Sequence, residues 1–223
     1  MSESPKDERI DGMLEFERMA WERGFSFVAG VDEAGRGPLA GPVVVAAVLF
    51  PKGAAIPPVD DSKKLTESRR LELREEILSV PGVETAVVEI SAERVDELNI
   101  LGATHEGMRL ALERLESADF ALVDGLKVPN LPVPAEFIVK GDSRSASVAA
   151  ASVLAKTRRD EIMVELDGIY PGYGFAVHKG YGTKTHLEAL ARLGPSPVHR
   201  RSFKPVRDAI DPPPEQMELG LFD

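Results

Sequence analysis

The chain has 223 residues, enough for one domain with extensions, and its 43% hydrophobic and 29% charged content excludes a collagen, a coiled-coil rod or a disordered chain for the bulk of it. The absence of cysteine excludes disulfides, thiolate zinc sites, iron–sulfur clusters and a cysteine nucleophile. A formal net charge of -10 argues by itself against a nucleic-acid partner, yet residues 142–208 hold 11 Lys plus Arg against 7 Asp plus Glu, while residues 1–141 hold 16 against 26, so a locally basic region is available to a polyanion.

The first predicted element is an amphipathic helix over 8–22, where Ile10, Met13, Leu14 and Trp21 recur at helical spacing among charged residues. A short apolar strand over 27–31 enters a loop rich in Gly and Pro and emerges as the β-branched run 43–50, a second strand. A polar connection with Asp60, Asp61, Ser62, Lys63 and Lys64 leads to Thr66, the N-cap expected for a helix to about residue 79. Residues 84–90 read as a third strand and 92–115 as a helix with Met108, Leu110, Leu112 and Leu115 toward a core. Residues 120–123 form a buried strand ending at Asp124 and Gly125, and 137–139 a last strand stopping at Lys140 and Gly141. The Ala-rich stretch that follows favours a helix of about five turns pressed closely on its neighbours, and 184–192 a further helix. Three early strands followed by alternation predict an α/β fold, a central mixed sheet flanked by helices with a C-terminal helical extension. The apolar runs 43–50 and 148–155 are far shorter than the roughly 20 residues a membrane helix needs. The opening MSESPKDERIDG carries charges where a secretory signal has an apolar stretch, so the protein reads as cytoplasmic.

Acids gather where the strands give way to loops: Asp32 and Glu33 after the first strand, Asp124 after 120–123, Asp142 after 137–139. Singly each has a plain explanation, since Asp124-Gly125 is a common turn former and Asp142-Ser143 a helix cap. Together, converging carboxylates repel one another unless a cation holds them, and Mg²⁺ or Mn²⁺ suits such oxygen donors. Zinc is poorly supplied, with four histidines, among which His178 and His186 are either ligands or core and surface side chains. No Gly-x-Ser-x-Gly elbow supports a serine hydrolase. Gly35, Arg36 and Gly37 form a turn whose amides suit a phosphate or a sugar edge. Tyr181, between glycines, is either a stacking platform for a base or sugar or a packed loop tyrosine. His199, Arg200, Arg201 and Lys204 form a basic cluster suited to backbone phosphates or to a solvated face.

Taken as strings, VDEAGRGPLAGP at 31–42, DSKKL at 61–65, VDG at 123–125, KGD at 140–142, AAASVLAK at 149–156 and HKGYGT at 178–183 resemble bacterial ribonuclease HII, in the family order, over about residues 26–206. The resemblance implies a ribonuclease H-like fold and an endonuclease that uses Mn²⁺ or Mg²⁺. It would cut the RNA strand of RNA–DNA hybrids and nick duplex DNA 5′ to embedded ribonucleotides, leaving 3′-hydroxyl and 5′-phosphate ends by two-metal hydrolysis. It assigns Asp32, Glu33, Asp124 and Asp142 as catalytic, metal-holding acids and Gly35, Arg36, Gly37 and Tyr181 as substrate-binding residues. Asp160, 18 residues beyond Asp142 within the predicted helix, is assigned to structure. The competing readings are a non-catalytic nucleic-acid-binding module and a transposase- or resolvase-like nuclease; intact acids count against the first and the Gly-Arg-Gly loop against the second.

The chain divides into a catalytic domain over 1–207 and a Pro-rich spacer with a peptide motif over 208–223. In that tail, Gln216, Leu219, Leu221 and Phe222 resemble the peptide by which bacterial replication and repair proteins bind the sliding clamp, the alternative being a segment packed on its own domain. The protein is expected to act as a monomer.

Overall fold

A computed structural model describes residues 10–59, 62 and 65–211. Helix α1 (Glu15–Glu22) precedes strands β1 (Val28–Ala34) and β2 (Val43–Leu49), then α2 (Glu67–Leu78), β3 (Glu84–Ile90) and α3 (Ala92–Glu113). Strands β4 (Phe120–Asp124) and β5 (Ala135–Ile138) follow, then α4 (Ala146–Ile169), α5 (Phe175–His178), α6 (Lys184–Leu193) and α7 (Lys204–Ile210). The five strands make one sheet in the order β3-β2-β1-β4-β5, with β1 antiparallel to β2, β2 antiparallel to β3, and β1, β4 and β5 parallel.

Strand β2 is buried throughout, as its unbroken Val and Ala run requires of a strand covered on both faces. Val43, Val45, Ala47 and Leu49 pack toward α3 residues such as Met108 and Leu112, while Val44, Ala46 and Val48 pack toward Leu73 and Ile77 of α2 and the alanines of α4. The result is three layers, helix, mixed sheet and helix, each fully buried Val or Leu contributing about 1.5–3 kcal/mol.

Helix α4 lies against β1 because its inner face is almost all Ala and Ser, with Ala146, Ala149, Ala150, Ala151 and Ala155 fully buried. The contact is so close that a Cβ on Gly30 of β1 would lie 2.1 Å from the backbone carbon of Ser147 and 2.2 Å from the Val148 nitrogen. The N-terminus of α4 is closed twice. Ser145 caps it by accepting from the Val148 amide, and Glu17 of α1, itself buried, accepts from the Ser147 amide (3.0 Å) and from both serine hydroxyls (2.7 Å each).

Thr66 caps α2 as the sequence predicts, accepting from the Arg69 amide. Four details differ from expectation. Strand β1 runs on to Ala34, so Asp32 and Glu33 lie within it rather than after it. The long helix over 92–115 is interrupted at Asn99, whose positive φ of 57° breaks it and whose side chain accepts from the Leu101 and Gly102 amides to start the second segment. The last strand begins at Ala135 and ends at Ile138. Helices α5 and α7, of four and seven residues, are too short to show a period in the sequence. Asp61, Lys63 and Lys64 of the DSKKL string, the first nine residues and the tail from 212, with its Gln216 to Phe222 motif, lie outside the described residues.

Candidate active site

The parallel pairing of β1 and β4 decides where the acids go. Its last registered pair is Val31 with Val123, so the next residues, Asp32 and Asp124, come close together where the pairing of the two strands stops, although β1 itself continues to Ala34. Strand alternation puts both on the sheet face that carries Gly30 and Leu122, the face covered by α4. Strands β2 and β3 lie to one side of this pair and β5 to the other, so the acids occupy the point where chain progression changes direction, the usual position of a site in an open α/β sheet.

A cleft of about 260 Å³ opens here, lined by Asp32, Glu33, Asp124, Gly35, Arg36, Gly37 and Tyr181, together with Ser62, Ser152, Lys156 and Arg159. Asp32 is buried, 4% exposed; burial first, and then the charges of Glu33 and Asp124, hold its carboxyl well above the usual carboxylate range. Hydrogen bonds from Ser152 and from the Glu33 amide (2.7 Å) pull the other way. Asp124 Oδ1 accepts from the Gly141 amide at 2.6 Å, which ties β4 to the 3-10 turn Gly141–Ser143. Asp142 sits buried in that turn, one residue past the contact, and is not among the residues that line the cleft. Among the described residues no three His, Asp or Glu side chains are gathered at metal-ligating spacing. The chemistry of the acids nevertheless fits a hard divalent ion: carboxylate oxygens as donors, and a buried carboxyl whose ionisation two neighbouring carboxylates oppose.

The loop between β1 and β2 forms the cleft's rim. Gly35 has a φ of 97°, and a Cβ there would stand 1.9 Å from Nε of the buried Arg159, so the position admits glycine alone. Arg36 and Gly37 are exposed, and Arg36 Nη1 lies 3.4 Å from Glu33 Oε1. Tyr181 is 48% exposed, and its ring lies against Gly37, whose added Cβ would be 3.7 Å away.

The basic cluster at 199–204 does not face solvent as a unit. His199 and Arg200 are buried, and their polar atoms are spent on the protein itself. Residues 198–200 pair antiparallel with 39–41 of the rim loop, which in turn bonds the Tyr181 segment: the Gly41 amide donates to Val198 O, the Arg200 amide to Leu39 O, and the Leu39 amide to Gly180 O. His178 and His186, spaced as conceivable metal ligands, are instead stacked with ring centroids 4.4 Å apart. His186 Nδ1 faces the Tyr181 carbonyl at 2.9 Å and therefore carries its proton. Its Nε2 then accepts from His199 Nε2 at 3.0 Å, and His199 Nδ1 accepts from the Ser196 amide (3.0 Å) and hydroxyl (2.8 Å). This neutral chain holds the Tyr181 backbone in place.

Asp160 plays the structural part expected of it, taking Lys156 Nζ at 2.5 Å and Arg70 Nη2 at 3.2 Å. Sequence reasoning passed over Ser152, Lys156 and Arg159, which share the cleft-facing side of α4. Their signal was the polar spacing of four and three residues within an Ala-rich helix.

A protein-family model described as Ribonuclease HII matches residues 29–206. A Ribonuclease HII of Chlamydia pneumoniae is 50% identical over 201 residues, covering 90% of this chain and 94% of its own. Among solved structures, the ribonuclease H2 of Pyrococcus horikoshii OT3 superposes with a TM-score of 0.65 at 25% identity, over 82% of this chain and 96% of that one. The RNase HII of Archaeoglobus fulgidus, solved in a complex with PCNA, gives 0.63 at 29% identity over 78% and 92%.

Proposed function

Because this chain belongs to the ribonuclease HII family, and so is a metal-dependent ribonuclease H acting on the RNA strand of RNA–DNA hybrids, we propose that its cleft also nicks duplex DNA 5′ to single embedded ribonucleotides. The observation that carries this reading is the juxtaposition of Asp32 and Asp124, one residue beyond the last registered pair of the parallel strands β1 and β4, in a cleft that also holds the rim loop and Tyr181. Asp32, Glu33, Asp124 and Asp142 are the residues that would hold Mn²⁺ or Mg²⁺. When bound, such ions supply an activated water and Lewis-acid stabilisation of the departing oxygen, giving 3′-hydroxyl and 5′-phosphate ends.

The chain's own groups supply the rest. RNA and DNA differ at the sugar by one hydroxyl, which a donor or acceptor must read. The Arg36 and Gly37 amides and the Tyr181 hydroxyl are the candidates at the rim, and the exposed Tyr181 ring is free to stack on the adjoining deoxynucleotide. Lys156, its pKa drawn down by burial against the pull of Asp160, adds a cation to an acidic cleft that must admit a phosphodiester.

Asp124→Asn is expected to abolish cleavage of a duplex carrying one ribonucleotide while duplex binding, followed by fluorescence anisotropy, persists; near-normal turnover would overturn the assignment. Tyr181→Ala is expected to lose most activity on that substrate, and an unchanged rate would remove its junction role.

Helix α7 carries the domain to Ile210, past the boundary at 207 that the sequence suggested, and the tail over 212–223 is proposed as a tether carrying a sliding-clamp peptide at Gln216 to Phe222, a reading that a solved archaeal relative in complex with PCNA supports. Deleting residues 212–223 should end binding to the sliding clamp and leave nuclease activity intact; equal clamp affinity afterwards would dismiss it. Among the described residues no helix is long and apolar enough to cross a membrane, and we take the enzyme to work as a monomer in the cytoplasm.

A further inference from the structure

Arg200 is fully buried, yet it touches no carboxylate in its hydrogen bonding. All of its N–H donors go to the backbone of one loop. Nε donates to Gly41 O (3.0 Å), Nη1 to Arg36 O and Pro38 O (2.9 Å each), and Nη2 to Gly35 O (2.6 Å) and Gly41 O (2.9 Å). A guanidinium has five donors in a rigid fork, so none is left for a phosphate or for water. Arg159, also buried, adds Nε to Pro42 O (3.2 Å) and Nη2 to Ala40 O (3.3 Å) on the same loop.

A trans peptide points its C=O and N–H in opposite directions. The carbonyl of Gly35 belongs to the same peptide unit as the Arg36 amide, and the carbonyl of Arg36 to that of Gly37. Fixing those two oxygens on Arg200 therefore fixes the two amide hydrogens on the other side of the loop, away from the buried guanidinium and toward the cleft that residues 35–37 line.

We propose that Arg200 is the positioning residue for ribonucleotide recognition: by gathering the carbonyls of Gly35, Arg36, Pro38 and Gly41 it turns the Arg36 and Gly37 amides outward as a preset pair of donors for the 2′-hydroxyl. The proposal rests on the reading of loop 35–37 as the ribose-reading segment. Preset donors cost no reorganisation on binding, so their loss falls on discrimination between sugars rather than on general duplex affinity. Lysine keeps the charge but brings three donors from a single point, and it leaves the loop free to turn.

The test uses the full chain in the Asp124→Asn background, which keeps the substrate whole. Affinity is measured for a DNA duplex with one ribonucleotide and for the same duplex as DNA throughout, with Arg200, Arg200→Lys and Arg200→Gln, folding being checked by circular dichroism. The expected result is that either substitution lowers the preference for the ribonucleotide duplex about tenfold or more while affinity for the DNA duplex changes less than about twofold. An unchanged preference in a folded variant, or a parallel fall on both duplexes, overturns the proposal. Gly37→Pro, which deletes one of the amides, separates the two levels: if it keeps the preference, the loop reading itself fails, whereas if it loses the preference and Arg200→Lys keeps it, only the role of Arg200 fails. Should both Arg200 variants unfold, nitrogen-15 spectra of the unsubstituted side chain decide. Separate, slowly exchanging Nη signals, free and duplex-bound, are expected, and a single averaged signal contradicts a guanidinium locked to the loop.

Discussion

Asp32 meets burial and two like-charged neighbours at once, and the sign of that cost makes a test. With its folded pKa raised above the unfolded value near 3.8, the unfolded chain releases this proton first as pH rises, so ionising Asp32 subtracts from stability in the window above pH 4 until a cation offsets it. Asp32→Asn should therefore leave the metal-free protein at least as stable as before, abolish the rise in melting temperature on adding Mn²⁺, and cut cleavage by roughly a thousandfold, about 4 kcal/mol of barrier. Calorimetry with and without Mn²⁺ checks the first two; a retained Mn²⁺ shift would show that Asp32 is not a ligand. At this scale the acids were legible because a carboxylate at the end of an apolar strand demands a reason. Arg200 was not, because its partners lie about 160 residues earlier in the chain, and a basic run reads as a phosphate contact until its burial is seen.

The element that organises the site is α4, whose small inner face lets it ride on β1 and present Ser152, Lys156 and Arg159 to the cleft. Gly30→Ala drives a methyl group into the α4 backbone, where no side chain can yield, and should cost about 1–3 kcal/mol or more by urea denaturation. A loss under about 0.5 kcal/mol would mean that the helix does not sit so close. Glu17→Ala strips the partner from the Ser147 amide and from the buried hydroxyls of Ser145 and Ser147, and should cost about 1–3 kcal/mol. The Ala-rich stretch announced a closely packed helix, and Thr66 announced the start of α2, since both depend on local chemistry. The Glu17 cap joins residues about 130 apart, and the break at Asn99 depends on a side chain capping its own backbone within a continuous apolar period, so neither is visible as a pattern.

Across the whole molecule, the C-terminal third closes over the rim through neutral histidines, which gives stability a pH dependence. Burial first, and then His186, lower the His199 pKa from the ordinary 6.5 to about 4. The unfolded chain thus takes up this proton before the folded one, and stability present above pH 6.5 drains away as pH falls toward 4, by up to about 3 kcal/mol. Urea midpoints between pH 7.5 and 4.5 should fall more steeply for the wild type than for His199→Gln; parallel curves would contradict the neutral chain. The three-layer α/β architecture was legible from strand order and apolar period. The clasp of residues 198–200 on the rim loop at 39–41 was not, because it is built from backbone pairings that any sequence can make. The most direct measurement of the central claim is the end chemistry of cleavage on a duplex with a single ribonucleotide, with Mn²⁺ or Mg²⁺ and with chelator. A nick on the 5′ side of the ribonucleotide with 3′-hydroxyl and 5′-phosphate ends, seen only with metal, is expected; 2′,3′-cyclic phosphate ends, or metal-independent cleavage, would contradict it.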